Sequence, residues 1–187
     1  MKEGSLTMLF ETERLLIREF VPEDFPAVHS YASDPAVAEH MIWGPNSEEE
    51  TKSYNNYVID MQQKIPREGF EFAVVLRAGG VLIGGCGIHI SPPRQGEIGY
   101  CFHREYWGKG FAAEAAARLI AFGFEDLGLH RIYATCRPGN KASARVMQKA
   151  GMTFEGHLRE HKWHKGKWHD SCQYSILEQE YKKDFSE

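Results

Sequence analysis

The sequence is short of several things, and each shortage narrows the choice. Cysteine occurs four times in 187 residues, at Cys86, Cys101, Cys136 and Cys172. No two are closely spaced, so neither a disulfide framework nor a zinc knuckle is suggested. No run is both long and apolar enough to cross a bilayer, and residues 1–10 lack the sustained apolar core of a signal peptide. The expected setting is a reducing cytoplasm, with no membrane partner. Positive charge is not in excess either: 22 Lys and Arg stand against 26 Asp and Glu, for a net charge of −4. A sequence-independent grip on nucleic acid needs a basic face, so no direct nucleic-acid binding is expected. There is no internal repeat, low-complexity tract or linker, and 187 residues suit one domain with a real core. The expectation is a single domain over 1–187, with 1–10 as a loose N-terminal segment.

What is present reads as alternating elements. Leu15, Leu16 and Ile17 form a short apolar run of strand type. Pro22-Glu23-Asp24 opens a helix, since proline suits the first turn and acids suit the positive helix end. That helix is expected to fade before Pro35. Ser47 with Glu50 forms a capping box for a second helix, and Glu48-Glu49-Glu50 is read as helix-start electrostatics rather than a metal site. Residues 70–76 and 81–90 have strand character and flank a hairpin connection at 77–80. Gly84, Gly85 and Gly87 weaken the second of these unless something approaches its backbone closely. A third strand of the meander covers 96–103, with Ile98, Tyr100 and Phe102 on one face and Glu97, Gly99, Cys101 and His103 on the other. A helix follows from about 110 to 127, then a strand at 130–136. Another helix is capped by Asn140 and stopped by Gly151, and two last strands lie at 152–158 and 168–177.

The chemistry concentrates where the third strand meets the helix at 110. Trp107, Gly108, Lys109, Gly110, Phe111, Ala112 and Ala113 place two glycines at a helix start. The first amides of a helix have no intrahelical partner, and without Cβ atoms a phosphate can approach them. Gly108 to Ala113 formally fits the G-x-G-x-x-A dinucleotide fingerprint. That fingerprint also needs an acid about 20 residues on, at the end of the next strand. The strand here ends Tyr133-Ala134-Thr135-Cys136, and a meander precedes it instead of a βαβ unit.

Several ordered motifs together resemble another family. Glu97-Ile98-Gly99-Tyr100, Tyr106-Trp107-Gly108-Lys109-Gly110-Phe111-Ala112-Ala113-Glu114, Asn140-Lys141-Ala142-Ser143-Ala144-Arg145 and Phe154-Glu155-Gly156 are similar to the GNAT acetyltransferase superfamily. Within it they resemble the branch of ribosomal-protein N-terminal alanine and serine acetyltransferases. Thr12 to Arg18 and Lys165 to Asp170 fit that branch too, so the resemblance spans roughly residues 11–177.

The resemblance implies an α+β domain whose central twisted sheet is mostly antiparallel, with about seven strands, a splayed pair and helices on both faces. It implies acetyl-CoA as co-substrate, with no metal. Its pyrophosphate would sit on the amides of Gly108 to Ala113, and its pantetheine arm would run along Ile98, Gly99, Tyr100 and Cys101, with a bulge at Gly99. Trp107 stands where the family usually has glutamine or arginine, and Lys109 is either a phosphate contact or a solvated lysine. Asn140 would cap its helix and reach the cofactor arm. Glu97 matches a family base and is equally readable as a structural strand-end carboxylate. Ser143 matches a proposed acid toward the CoA sulfur and is equally readable as a small helix residue. Met147 stands where many members place a proton-donating tyrosine. The late base candidate of the branch falls near Glu160 to Lys162, with Lys162 as the aligned residue, and no role transfers there. His157, His161, His164 and His169 fit no zinc spacing, and with Trp163 and Trp168 they are expected to border the acceptor entrance. The implied acceptor is a protein N-terminal α-amine; a small amine such as a polyamine, amino sugar or antibiotic is the alternative, as is an acyl-CoA-binding module without turnover. A homodimer is compatible with all of these.

Overall fold

The computed structural model describes residues 8–183. Eight strands form one sheet in the order β1-β2-β3-β4-β5-β6-β8-β7. In chain order they are β1 (Leu9–Glu11), β2 (Leu15–Glu19), β3 (Gly69–Leu76), β4 (Leu82–Ser91), β5 (Gln95–Phe102), β6 (Arg131–Cys136), β7 (Thr153–His164) and β8 (Lys167–Leu177). The helices are α1 (Phe25–Ala32), α2 (Pro35–Ala38), α3 (Glu48–Met61), α4 (Phe111–Glu125), α5 (Lys141–Lys149) and α6 (Glu178–Lys183). All neighbouring strands are antiparallel except β5 and β6. Three short elements, β1, α2 and α6, add to the expected list. β1 includes Leu9 and Phe10, which were expected to belong to a loose N-terminal segment. α2 follows Asp34, whose Oδ1 accepts the Ala36 amide at 2.8 Å. Residues 1–7 of that segment lie outside the described residues.

Period-two alternation sorts side chains to two faces of the sheet. On β3, Phe72 and Val74 join the core under α4, whereas Ala73 joins Phe20, Val28, Tyr31 and Val58 under α1 and α3. On α4 the buried stripe is Ala115, Ala116, Leu119, Ile120, Phe122 and Gly123. Gly123 lets this helix lie close: a Cβ there would fall 2.5 Å from Ile132 Cδ1. The capping box of α3 forms as the sequence indicated, with Glu50 N donating to Ser47 Oγ at 3.2 Å and Ser47 N to Glu50 Oε2 at 2.8 Å. β2 is tied to the start of α1 by Arg18, which holds both carboxylate oxygens of Asp24 at 2.7 Å.

Two expectations about β5 are resolved. Its pairing with β4 runs without a register break from Gln95 to Phe102, so the bulge expected at Gly99 is absent. The splay comes from the other side. β5 pairs with β6 only at Gln95, Gly96 and Glu97, opposite Arg131, Ile132 and Tyr133. β5 meanwhile stays paired with β4 as far as Phe102, and β6 with β8 as far as Cys136. From Ile98 onward the β6-facing edge of β5 has no strand partner among the described residues.

Candidate active site

The turn after β5 leaves backbone amides bare. Gly108 and Gly110 have φ of 73° and 85°, the left-handed region that favours glycine. The first helical bond of α4 runs from Glu114 N to Gly110 O at 3.1 Å. The amides of Phe111, Ala112 and Ala113 precede it and have no hydrogen-bond partner among the described residues. Nothing lies within 4 Å of where a Cβ on Gly108 would stand. Such unpaired amides at a helix start, with the positive dipole end behind them, attract a phosphate.

The turn is held by residues the sequence reading quoted without a role. Arg14 donates from Nε to Glu114 Oε2 at 2.7 Å and from Nη1 to Lys109 O at 2.9 Å, and its guanidinium lies 4.6 Å from the Phe111 ring centre. Thr12 Oγ1 donates to Glu114 Oε1 at 2.6 Å. Burial alone would push the Glu114 carboxyl up, but the bonds from Thr12 and Arg14 together hold it below the usual carboxylate range. The acid at the helix start is thereby matched by a fixed cation. Trp107 is half exposed, yet its Nε1 donates to Phe102 O at 2.8 Å and so fastens the turn to the end of β5. Lys109 lies over the Tyr106 ring at 5.4 Å.

A cleft of ≈ 1070 Å³ opens beside the splayed edge. It brings together Ile98, Gly99, Tyr100 and Cys101 of β5 with Ala134, Thr135 and Cys136 of β6, and with Asn140 and Ser143 of α5. It continues under His40, Met41, Trp43 and Tyr54 toward Glu71. Residues 107–113 do not line it; they lie past the end of β5. A ligand that uses both must be long, with its anionic part at the turn.

Asn140 Oδ1 accepts the Ser143 amide at 3.1 Å, the N-cap bond expected of it, and its side-chain NH₂ remains without a partner among the described residues. Ser143 Oγ lies 2.9 Å from Tyr100 OH, which also reaches Ser143 O at 3.1 Å. Burial raises the Tyr100 hydroxyl well above its ordinary value, opposed in part by the Ser143 bond, so it stays protonated. The Tyr100–Ser143 pair was not foreseen; the face assignment of Tyr100 toward α5 was the available signal. Met147, one turn on, is fully buried in the core.

Glu97 stands apart from the cleft lining. Its carboxylate receives Lys162 Nζ at 3.2 Å and Tyr133 OH and Thr135 Oγ1 at 3.4 Å each. Lys162, the residue given no role, is thus its ion-pair partner. The hairpin histidines have separate partners: His157 with Asp170 at 2.6 Å and His161 with Ser171 at 3.1 Å, while His164 and His169 stack at 4.0 Å. Among the described residues no three His, Cys, Asp or Glu side chains converge as a metal site requires. The hairpin tip does approach the cleft rim, with Lys165 Nζ donating to Ala38 O at 2.8 Å. The cleft thiols are held as thiols: burial pushes Cys101 up to about 12 and Cys136 up to about 11. No helix among the described residues is long and apolar enough to cross a membrane.

Comparison with known proteins adds to this geometry. The chain is 39% identical over 180 residues to the uncharacterized N-acetyltransferase YnaD of Bacillus subtilis (strain 168), covering 93% of this chain and 99% of the relative. A GNAT-family acetyltransferase structure from Bacillus anthracis matches at 38% identity and a TM-score of 0.82, covering 92% of this chain and 99% of the other. The ribosomal-protein-S5-alanine acetyltransferase of Vibrio fischeri matches at 25% identity and a TM-score of 0.74, covering 91% and 97%. Residues 14–153 match the acetyltransferase (GNAT) domain family. By these likenesses, and with a turn of bare amides at one end of a splayed strand pair, this chain belongs to the GNAT acetyltransferases and is an acetyl-CoA-dependent N-acetyltransferase.

Proposed function

We propose that the chain acetylates primary amines presented as protein N-termini, with residues of the splayed cleft serving the transfer directly. The observation that carries this reading is the run from the bare amides at 111–113, along the unpartnered edge of β5, to Ser143 and Tyr100. These residues fit acetyl-CoA: open space over Gly108 for phosphate, and exposed strand-edge backbone for an arm that is itself a chain of amides. Bound there, acetyl-CoA supplies an activated acetyl thioester.

The chain's own residues then have separable tasks. The amide of Tyr100, which alternation turns to the β6-facing edge while those of Gly99 and Cys101 face β4, is placed to polarise a carbonyl lying along that edge. Ser143 Oγ is the proton donor toward the departing sulfur, and Tyr100 OH, 2.9 Å from it, orients that hydroxyl by hydrogen bonding. Glu97, ion-paired with Lys162, takes the acceptor's proton through water. The thiol of Cys101, kept protonated, is a poor nucleophile, which favours direct attack by the amine over an acetyl-enzyme.

An α-amine, with a pKa near ~8 against ~10.4 for lysine, is partly unprotonated at neutral pH and asks little of a base. The Vibrio fischeri relative acts, by its name, on ribosomal-protein S5 alanine, which supports the same acceptor class here. The test is thiol release from acetyl-CoA with peptides beginning Ala or Ser and with small amines, read with product mass. Acetylation of small amines alone refutes the N-terminal acceptor. Tight acetyl-CoA binding with no release for any amine refutes the activity.

A further inference from the structure

A row of register partners crosses the sheet beneath the cleft. Glu71 on β3 lies opposite Gly87 on β4, and Gly87 lies opposite Gly99 on β5. Partners in a row share a face, so Glu71 carries the only side chain in it. That side chain is laid across β4. A Cβ built on Gly87 would fall 2.5 Å from both Cδ and Oε2 of Glu71, so glycine is what makes room for the carboxylate. At Gly99 nothing lies within 4 Å of a Cβ position, so the path continues open to the strand edge. Neighbouring strands are spaced about 4.8 Å apart. The carboxylate therefore stands about one strand spacing from Gly99, and both residues line the cleft.

The carboxylate is oriented as well as exposed. His89 Nε2 lies 2.7 Å from Glu71 Oε1, and among the described residues no hydrogen bond engages Oε2. Glu71 is 18% exposed, between the apolar Tyr31 and Tyr54 side of the cleft and the open side. A half-occupied carboxylate over a floor without side chains selects a cation small enough to lie on that floor. Glu97 differs: three donors already hold it.

We propose that Glu71 docks the acceptor, its Oε2 receiving a hydrogen bond from the primary ammonium while His89 fixes the carboxylate through Oε1. This inference rests on the reading that the chain acetylates an amine and names the residue that selects it. Glu71 is a binding residue for the acceptor, and His89 is a positioning residue.

The test uses the full chain with acetyl-CoA, and Ala-Ala-Ala amide and n-butylamine as probes. Glu71→Gln keeps shape and removes charge. It is expected to raise the acceptor KM about tenfold or more, the loss of one charge-assisted bond, with the acetyl-CoA KM unchanged. Gly87→Ala is the independent variant: its methyl must displace the carboxylate, so acceptor KM rises although Glu71 remains. Acceptor KM values unchanged in both variants overturn the docking role. Should the wild type release no thiol with either probe, calorimetric binding of the probes to the CoA-loaded protein decides. Binding that is lost in Glu71→Gln upholds docking while the transferase reading falls; binding that is absent in the wild type, or equal in the variant, overturns docking.

Discussion

Gly110→Val, paired with Gly128→Ala, separates the anion cradle from the ordinary cost of a left-handed residue. Both glycines have positive φ, 85° and 60°, and both flank α4. A residue with a Cβ costs about 1–2 kcal/mol in this region. For a chain of this size that lowers the melting midpoint by about 2–8 °C in either variant. The surroundings then distinguish them. Around Gly128 a Cβ meets nothing within 4 Å, and no candidate ligand group is near. At Gly110 a Cβ lies 3.2 Å from Arg14 Nη2, and the branched side chain stands before the unpaired amides of Phe111, Ala112 and Ala113. An amide bond to a charged acceptor contributes about 1.5–3 kcal/mol. Displacing the phosphate from two of three amides costs about 3 kcal/mol or more, which is about a hundredfold in Kd. Isothermal titration of CoA at fixed salt reads this directly. The expected result is a Kd raised about a hundredfold in Gly110→Val and unchanged in Gly128→Ala. If Gly110→Val binds CoA as tightly as Gly128→Ala, the turn is not the phosphate site.

Three further outcomes follow from the same geometry. Ser143→Ala is expected to lower kcat about 100-fold with acetyl-CoA affinity unchanged, and Tyr100→Phe to lower it less, since Ser143 keeps its own proton; unchanged kcat in both sinks the donor assignment. With Cys101 pushed up to about 12, only about one thiol in ten thousand is ionised at pH 8. Intact-mass measurement after acetyl-CoA alone should therefore find no acetyl-enzyme. His89 is raised above its ordinary value chiefly by its bond to Glu71, with partial burial opposing and the Glu71 and Glu97 charges assisting. A raised histidine adds stability below its unfolded pKa and loses it as pH rises through the folded value. An NMR titration should show His89 moving down in Glu71→Gln, and the stability gap between wild type and variant should narrow as pH rises through that value. A gap that widens instead would contradict the pair.

Much of this protein could be read from local chemistry. Capping residues, glycines at turns and period-two alternation act over a few residues, so Ser47/Glu50, Asn140, the strands of the meander and the helix after Gly110 were legible as sequence. So was the glycine turn with its bare amides, because unpaired amides and absent Cβ atoms are properties of the segment itself. The glycines of β4 announced that something approaches the backbone, without saying what. Three-dimensional pairing supplied the rest. Gly87 makes room for the Glu71 carboxylate, and Gly84 for the backbone of β5 at Cys101 and Phe102. Arg14 and Thr12 reach Glu114 across about a hundred residues, and Tyr100 meets Ser143 across 43. The splay of β5 from β6 was expected from resemblance, together with a bulge at Gly99. The splay is present without the bulge, and where the β5–β6 pairing stops is a matter of register between distant segments that no single segment encodes. The sequence alone determined that two glycines and bare amides stand at the start of α4. Only the tertiary structure decided which side chains meet around the splayed cleft, because contacts between distant strands are set by register and packing.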